Sequence, residues 1–199
     1  LKIMNKNSAK LLKLINDFLN LSMLSSGGIR FNFQKTDIVQ IIKTSINSLL
    51  NRIKEKSLNI SYTFEKEPFY IDCDSERFTE VIDNILGNAI KFSGENSRVK
   101  VLLRKKDRNN AEIIIEDTGI GISDKDLKNI FDRFYTHFDG FSKEYQGLGL
   151  GLSIVKEIID RHNGTITISS KKGEGTKVFI NLPIKHCTDE KGRVKRLSQ

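Results

Sequence analysis

The run Ala111 to Glu116 contains Ile113-Ile114-Ile115, apolar at successive positions instead of alternating ones. Side chains of a strand point to opposite faces in turn, so a strand apolar on both faces belongs inside a sheet, with a neighbour on each edge. Val99 to Arg104 precedes it across the polar turn Lys105 to Asn110 and is its natural partner. The central strand then runs directly into Asp117-Thr118-Gly119-Ile120-Gly121, which puts one carboxylate and two glycines at a strand end.

A helix is expected just before this pair, from Ser75 to Phe92, capped by Asp74 or Ser75. Phe78, Val81, Ile82, Ile85, Leu86, Ala89 and Ile90 form its buried side. At about 100° per residue, Glu80, Asn84, Asn88 and Lys91 fall on one line of the other side. Asn is a poor interior helix residue, because its amide competes with the backbone, so two of them a turn apart need a reason.

Downstream, Gly147-Leu148-Gly149-Leu150-Gly151-Leu152-Ser153 opens a helical run from Ile154 to His162. Glycines let a backbone approach a bulky anion, and a helix N-terminus offers free N–H groups and partial positive charge. A phosphate cradle and a plain flexible loop both fit these residues taken alone. The preceding segment, Thr136 to Gln146, has no periodicity and suits a lid.

Elsewhere, residues 2 to 25 are expected to form one amphipathic helix, with Met4, Leu11 and Phe18 seven apart. So broad a stripe must pack on partner helices, and none precedes it, so part of a bundle is expected to be missing. Ser25-Ser26-Gly27-Gly28 breaks that helix. Ile29 to Phe33 is expected as a short strand. A helix capped by Asp37 or Thr36 and continuing to Ile53 follows. Strands are expected at Asn59 to Phe64 and Tyr70 to Asp72, a short helix at Asp124 to Ile130, and a hairpin of Thr165 to Ser170 with Lys177 to Leu182.

Composition narrows the function. Cys73 and Cys187 are far apart with no CxxC, so these cysteines indicate neither a disulfide framework nor a metal site. No apolar run reaches the roughly 20 residues that span a bilayer, and the chain begins at Leu1, as a fragment would. The net charge of +8 is scattered through amphipathic segments and its one dense run is Lys191 to Arg196, so no nucleic-acid partner is expected.

Taken together, Asn84-Ile-Leu-Gly-Asn88-Ala-Ile-Lys91, Asp117-Thr-Gly119-Ile-Gly121, Phe131-Asp-Arg133-Phe134, Gly147-Leu148-Gly149-Leu150-Gly151 and Gly173-Glu-Gly175-Thr176 stand in the order of a known set. The chain resembles the catalytic, ATP-binding domain of a sensor histidine kinase, in the class that also holds gyrase, Hsp90 and MutL ATPases. The resemblance covers about residues 29 to 185. It implies an α/β two-layer sandwich of the Bergerat type, a mixed sheet covered on one face by three helices and preceded by one long helix. The implied division is residues 1–27 as the second helix of a dimerisation and phosphoacceptor hairpin, 28–186 as the ATP-binding domain, and 187–199 as a polar tail.

The resemblance also implies roles. Asp117 would accept from the adenine amino group, with Gly119 and Gly121 closing around the base and Thr176 adding a hydroxyl or water contact. Asn88 would ligate Mg²⁺, which takes few protein ligands beside phosphate oxygens and water. Asn84 and Lys91 would face the phosphates as the catalytic residues, beside the Gly147–Gly151 loop and Arg133. In water-hydrolysing relatives the position of Asn84 is a glutamate base; an amide cannot take a proton usefully, so a kinase is favoured over an ATPase. The product would pass to a response-regulator aspartate, and the whole protein would be a homodimer with this part cytoplasmic. His137, His162 and His186 lack the neighbours of a phosphoacceptor, so they are assigned structural or surface roles and the acceptor helix is expected to be absent. A nucleotide-binding docking module without catalysis is the alternative.

Overall fold

The computed structural model describes residues 28–136 and 149–185, together with residues 12, 15, 19, 20 and 22–24. The strands are β1 (Gln34–Asp37), β2 (Asn59–Phe64), β3 (Tyr70–Cys73), β4 (Arg98–Lys105), β5 (Asn110–Asp117), β6 (Thr165–Lys171) and β7 (Gly175–Pro183). The helices are α1 (Ile38–Ser48), α2 (Leu50–Glu55), α3 (Ser75–Phe92), α4 (Asp124–Leu127) and α5 (Gly151–Arg161). Five strands form a mixed sheet in the order β2-β4-β5-β7-β6, with β2 and β4 parallel and every other pair antiparallel. The triple-isoleucine strand is β5, and it is central. β1 and β3 form a separate antiparallel ribbon.

Alternation decides what each face does. Ala111, Ile113 and Ile115 of β5 are buried with Val99, Val101 and Leu103 of β4 and Val178, Ile180 and Leu182 of β7. α1, α3 and α5 pack side by side over this face, with α3 in the middle. On the opposite face the register lines up Leu102, Ile114 and Phe179 as one half-buried apolar row. Charged rows flank it, with Arg104 paired to Glu112 at 2.6 Å and Lys177 to Glu116 at 3.0 Å. The sandwich therefore has two layers.

α3 starts where its cap says it should: Asp74 accepts from the Arg77 N–H at 3.1 Å. Its apolar stripe is buried along its whole length, from Phe78 to Ile90. Phe78 has no exposed area. Truncating so large a buried ring leaves a cavity, so Phe78→Ala is expected to lose about 3–5 kcal/mol, read as a lower urea midpoint with unchanged slope.

Three expectations from sequence are corrected. Ile29–Phe33 is not a strand, because the Asn32 N–H donates to the Asp74 carboxylate at 2.9 Å, leaving the ladder to begin at Gln34. The helix after Asp37 breaks at Leu49, where the Ser48 hydroxyl turns back onto the Ser45 carbonyl, a bond that competes with helix continuation. The helix after the glycine loop starts at Gly151, not Ile154. His162 ends that helix and is fully buried. Its Nδ1 lies 2.8 Å from the Ile158 carbonyl and its Nε2 accepts from the Asp74 N–H at 3.1 Å, so the neutral ring protonated on Nδ1 satisfies both. Phe31, Phe33 and Phe78 surround it, which makes its role structural. Of the expected N-terminal helix, the described residues are helical; His137, His186, most of the expected lid and the polar tail lie outside the described residues.

Candidate nucleotide site

Asp117 ends β5 on the helix-covered side and is buried at 8% exposure. Its Oδ1 accepts from the Gly119 N–H at 2.8 Å. Burial pushes the carboxyl above its ordinary range, an effect that the N–H groups of Gly119 and Thr176 offset only in part. The loop beyond it is fastened on two sides. The Ile120 N–H donates to the Phe92 carbonyl at the end of α3, and the Gly173 N–H donates to the Ile120 carbonyl. Gly119 passes so close to α3 that a β-carbon there would lie 2.5 Å from the Phe92 oxygen.

Thr176 sits opposite Asp117 on β7. Its hydroxyl lies 2.9 Å from Ser170 Oγ, which also receives the Ile122 N–H and donates its own proton to the Gly175 carbonyl. Thr176 is therefore the donor in that pair. Sequence reasoning missed Ser170, since nothing in Thr165 to Lys171 distinguishes it from any exposed strand serine.

The phosphate end is carried by α3. Glu80, Asn84, Asn88 and Lys91 are all half-buried, whereas Asp83 beside them is exposed. The Asn84 amide is oriented, because Nδ2 donates to the Glu80 carbonyl at 2.9 Å and leaves Oδ1 beside the start of α5. A β-carbon on Gly151 would stand 2.8 Å from that oxygen. Asn84, the first asparagine of the stripe, thus borders the glycine loop, as a shared anion site requires. The N-terminus of α5 has no side-chain cap, so its first-turn N–H groups are not consumed by its own N-cap residue. Leu150 is buried just before it and Gly149 holds a φ of +68°.

Lys91 lies in the last turn of α3 with its ammonium 4.7 Å from the centroid of the Phe92 ring. Burial lowers its pKa from the ordinary 10.5. Phe131 packs against the core, while Arg133 is exposed and Phe134 is 58% exposed with a φ of 63°. The Phe134 N–H donates to the Gly149 carbonyl at 3.0 Å, tying that segment to the glycine loop. Tyr135 is held by Asp126 at 2.7 Å, a contact the sequence did not signal. Gly147 and Leu148 lie outside the described residues.

Two ends of one site are thus joined by α3: a buried acceptor with a tight glycine turn, and a polar stripe against an uncapped helix N-terminus. A flat heterocycle with an amino group fits the first and a polyphosphate fits the second. No group of three or more His, Cys, Asp or Glu that could hold a metal exists among the described residues. A divalent cation here would rest on amide and phosphate oxygens, which suits Mg²⁺ and one Asn.

Residues 73–186 match the family described as histidine kinase-, DNA gyrase B- and HSP90-like ATPase. The chain belongs to that family of ATP-binding domains. Its similar proteins include sensor histidine kinases. It is 33% identical over 189 residues to the sensor histidine kinase WalK of Bacillus subtilis, an alignment covering 93% of this chain and 30% of that protein. The chain therefore spans under a third of that relative's length. Among solved structures, full-length ShkA in complex with AMPPNP aligns with a TM-score of 0.81 at 24% identity, over 92% of this chain and 37% of the other. The histidine kinase ThkA, in complex with the response regulator TrrA, aligns at 0.72 and 22% identity over 92% of this chain and 51% of the other. Among the described residues no helix is long and apolar enough to cross a membrane.

Proposed function

We propose that this chain binds Mg-ATP between α3, the Asp117–Gly121 loop and the Gly147–Gly151 loop, and presents the γ-phosphoryl group to a histidine on a separate helix. The observation that carries the reading is how closely Gly151 passes Asn84, whose Oδ1 would stand 2.8 Å from a β-carbon there, so that the polar stripe of α3 faces the N-terminus of α5. Asp117 reads the adenine amino group, with Gly119, Gly121 and Thr176 around the base. Asn88 supports the cation, Lys91 and the first turn of α5 balance phosphate charge, and Arg133 reaches the same phosphates. Bound Mg-ATP supplies the transferable phosphoryl group and a cation that spreads its charge. Asn84 positions without taking a proton, which keeps water from being activated. The acceptor imidazole needs no base, since its neutral nitrogen is itself the nucleophile.

Partners follow from the same reading. Leu12, Ile15, Leu19 and Met23 are helical and 62%, 48%, 51% and 50% exposed, a stripe spaced three, four and four apart. That stripe supports residues 1–27 as part of a dimerising helical hairpin, with 28–186 as the catalytic domain and a response-regulator receiver as the onward acceptor. The ThkA complex supports the receiver, and the WalK likeness supports the transfer.

The test is to incubate the chain with γ-labelled ATP and a separately supplied hairpin bearing an acceptor histidine. Acid-labile, base-stable label on the hairpin, dependent on Mg²⁺, is expected. Binding of ATP without any transfer to acceptor hairpins from several relatives would leave a docking module instead.

A further inference from the structure

We infer that Lys56, outside every nucleotide motif, is the residue that sets the distance between the phosphate end and the base end of the ATP site. This rests on the ATP-site reading above. Lys56 follows α2, with its N–H donating to the Arg52 carbonyl and its carbonyl accepting from the Asn96 N–H, so its backbone is fixed on both sides. Its ammonium reaches across to the C-terminus of α3 and donates to the carbonyls of Ile90 and Lys91 at 2.9 Å each and of Ser93 at 2.8 Å. Three donors meet three acceptors, the full capacity of the group.

Those acceptors are the carbonyls that a helix end leaves without intrahelical partners, where a positive charge also matches the negative end of the helix. Of the last-turn carbonyls, Ala89 takes the Ser93 N–H and Phe92 takes the Ile120 N–H. Ile90 and Lys91 take Lys56. The turn that bears the Lys91 side chain is thus pinned by Lys56, and the next carbonyl along pins the loop after Asp117. Without the ammonium the last turn is free to fray. Fraying moves Lys91 from the phosphates and Phe92 from Ile120 together, so both halves of the site lose register. Lys56 touches neither base nor phosphate in this arrangement, which makes it a positioning residue.

The experiment compares the parent chain, Lys56→Met, Lys56→Arg and the core control Ile166→Val. Each is measured for ATP affinity by calorimetry with Mg²⁺, melting temperature, and amide exchange at Ser93 and Ile120 without nucleotide. Lys56→Met is expected to weaken ATP about fivefold and to speed exchange at both amides, with Lys56→Arg recovering most of each. Ile166→Val changes melting temperature but neither readout. Affinity within about twofold of the parent, or no more change than Ile166→Val causes, overturns the proposal. If Lys56→Met fails to fold, Lys56→Gln, which keeps two uncharged N–H donors, is compared in its place under the same criterion. No ATP binding by the folded parent overturns the site reading itself, a different result from parent binding that Lys56→Met leaves intact.

Discussion

Asp117→Asn is expected to weaken ATP binding by roughly tenfold to 150-fold, the loss of one charge-assisted hydrogen bond of about 1.5–3 kcal/mol. The Gly119 N–H fixes which oxygen of the side chain is taken, at 2.8 Å. An asparagine keeps its oxygen there and turns its NH₂ outward, so on the proposed reading the adenine amino group would meet a donor in place of an acceptor. Calorimetry with ATP and Mg²⁺ reads the effect. Equal affinity in parent and variant would place the base elsewhere.

The same substitution has a second, opposite signature in stability. Burial raises the Asp117 pKa above its ordinary 3.8, so the folded state favours the neutral form. A group raised on folding contributes stability that is fully present below its unfolded pKa and is lost as pH rises through its folded value. At pH 7 the carboxylate is therefore a net cost, and an amide removes it. Asp117→Asn should melt no lower than the parent at pH 7, with any advantage vanishing as pH falls towards 3.8. A binding loss accompanied by a large drop in melting temperature at neutral pH would mean misfolding, not a lost base contact.

Gly121→Ala is expected to be the most disruptive single methyl in the site. Gly121 has a φ of +66°, and a β-carbon there would stand 2.0 Å from the Lys171 carbonyl oxygen, which is backbone and has nowhere to go. The left-handed conformation alone costs a non-glycine residue roughly 1–2 kcal/mol. The clash must also part the 120–122 loop from the β6–β7 turn, where Ile122 meets Ser170 and Gly173 meets Ile120. A total loss of about 3 kcal/mol, or some 6–12 °C in melting temperature, is expected together with loss of ATP binding. Gly173→Ala is the control, because Gly173 has a φ of +85° but nothing within 4 Å of its would-be β-carbon. It should pay the backbone strain alone, and melting curves of the two variants that coincide would show that the loop contact with Lys171 carries no weight.

Much of the architecture was legible because periodicity reports burial directly. The triple isoleucine of β5 demanded a central strand, and the stripe from Phe78 to Ile90 demanded a helix in contact with it. Caps were equally local: Asp74 and Asp37 sit one residue before their helices and accept the N–H groups expected of them. The order of five short motifs pointed to the family, since each one places a polar or glycine residue where packing alone would not.

What sequence could not supply were bonds whose two ends lie far apart in the chain. The segment at Ile29–Phe33 reads as a strand by composition, yet Asp74, 42 residues beyond Asn32, takes the Asn32 N–H and ends the ladder. His162 reads as an ordinary helix-end histidine, and only the fold encloses it among Phe31, Phe33 and Phe78. Lys56 and Ser170 carry no motif at all. Their importance comes from where α2 and β6 happen to end, beside the C-terminus of α3 and the Gly121 loop. Local pattern determined the elements and the chemistry available to them. The tertiary structure decided which hydrogen-bonding groups face each other, because a backbone carbonyl left bare at a helix end accepts whatever donor folding brings within about 3 Å.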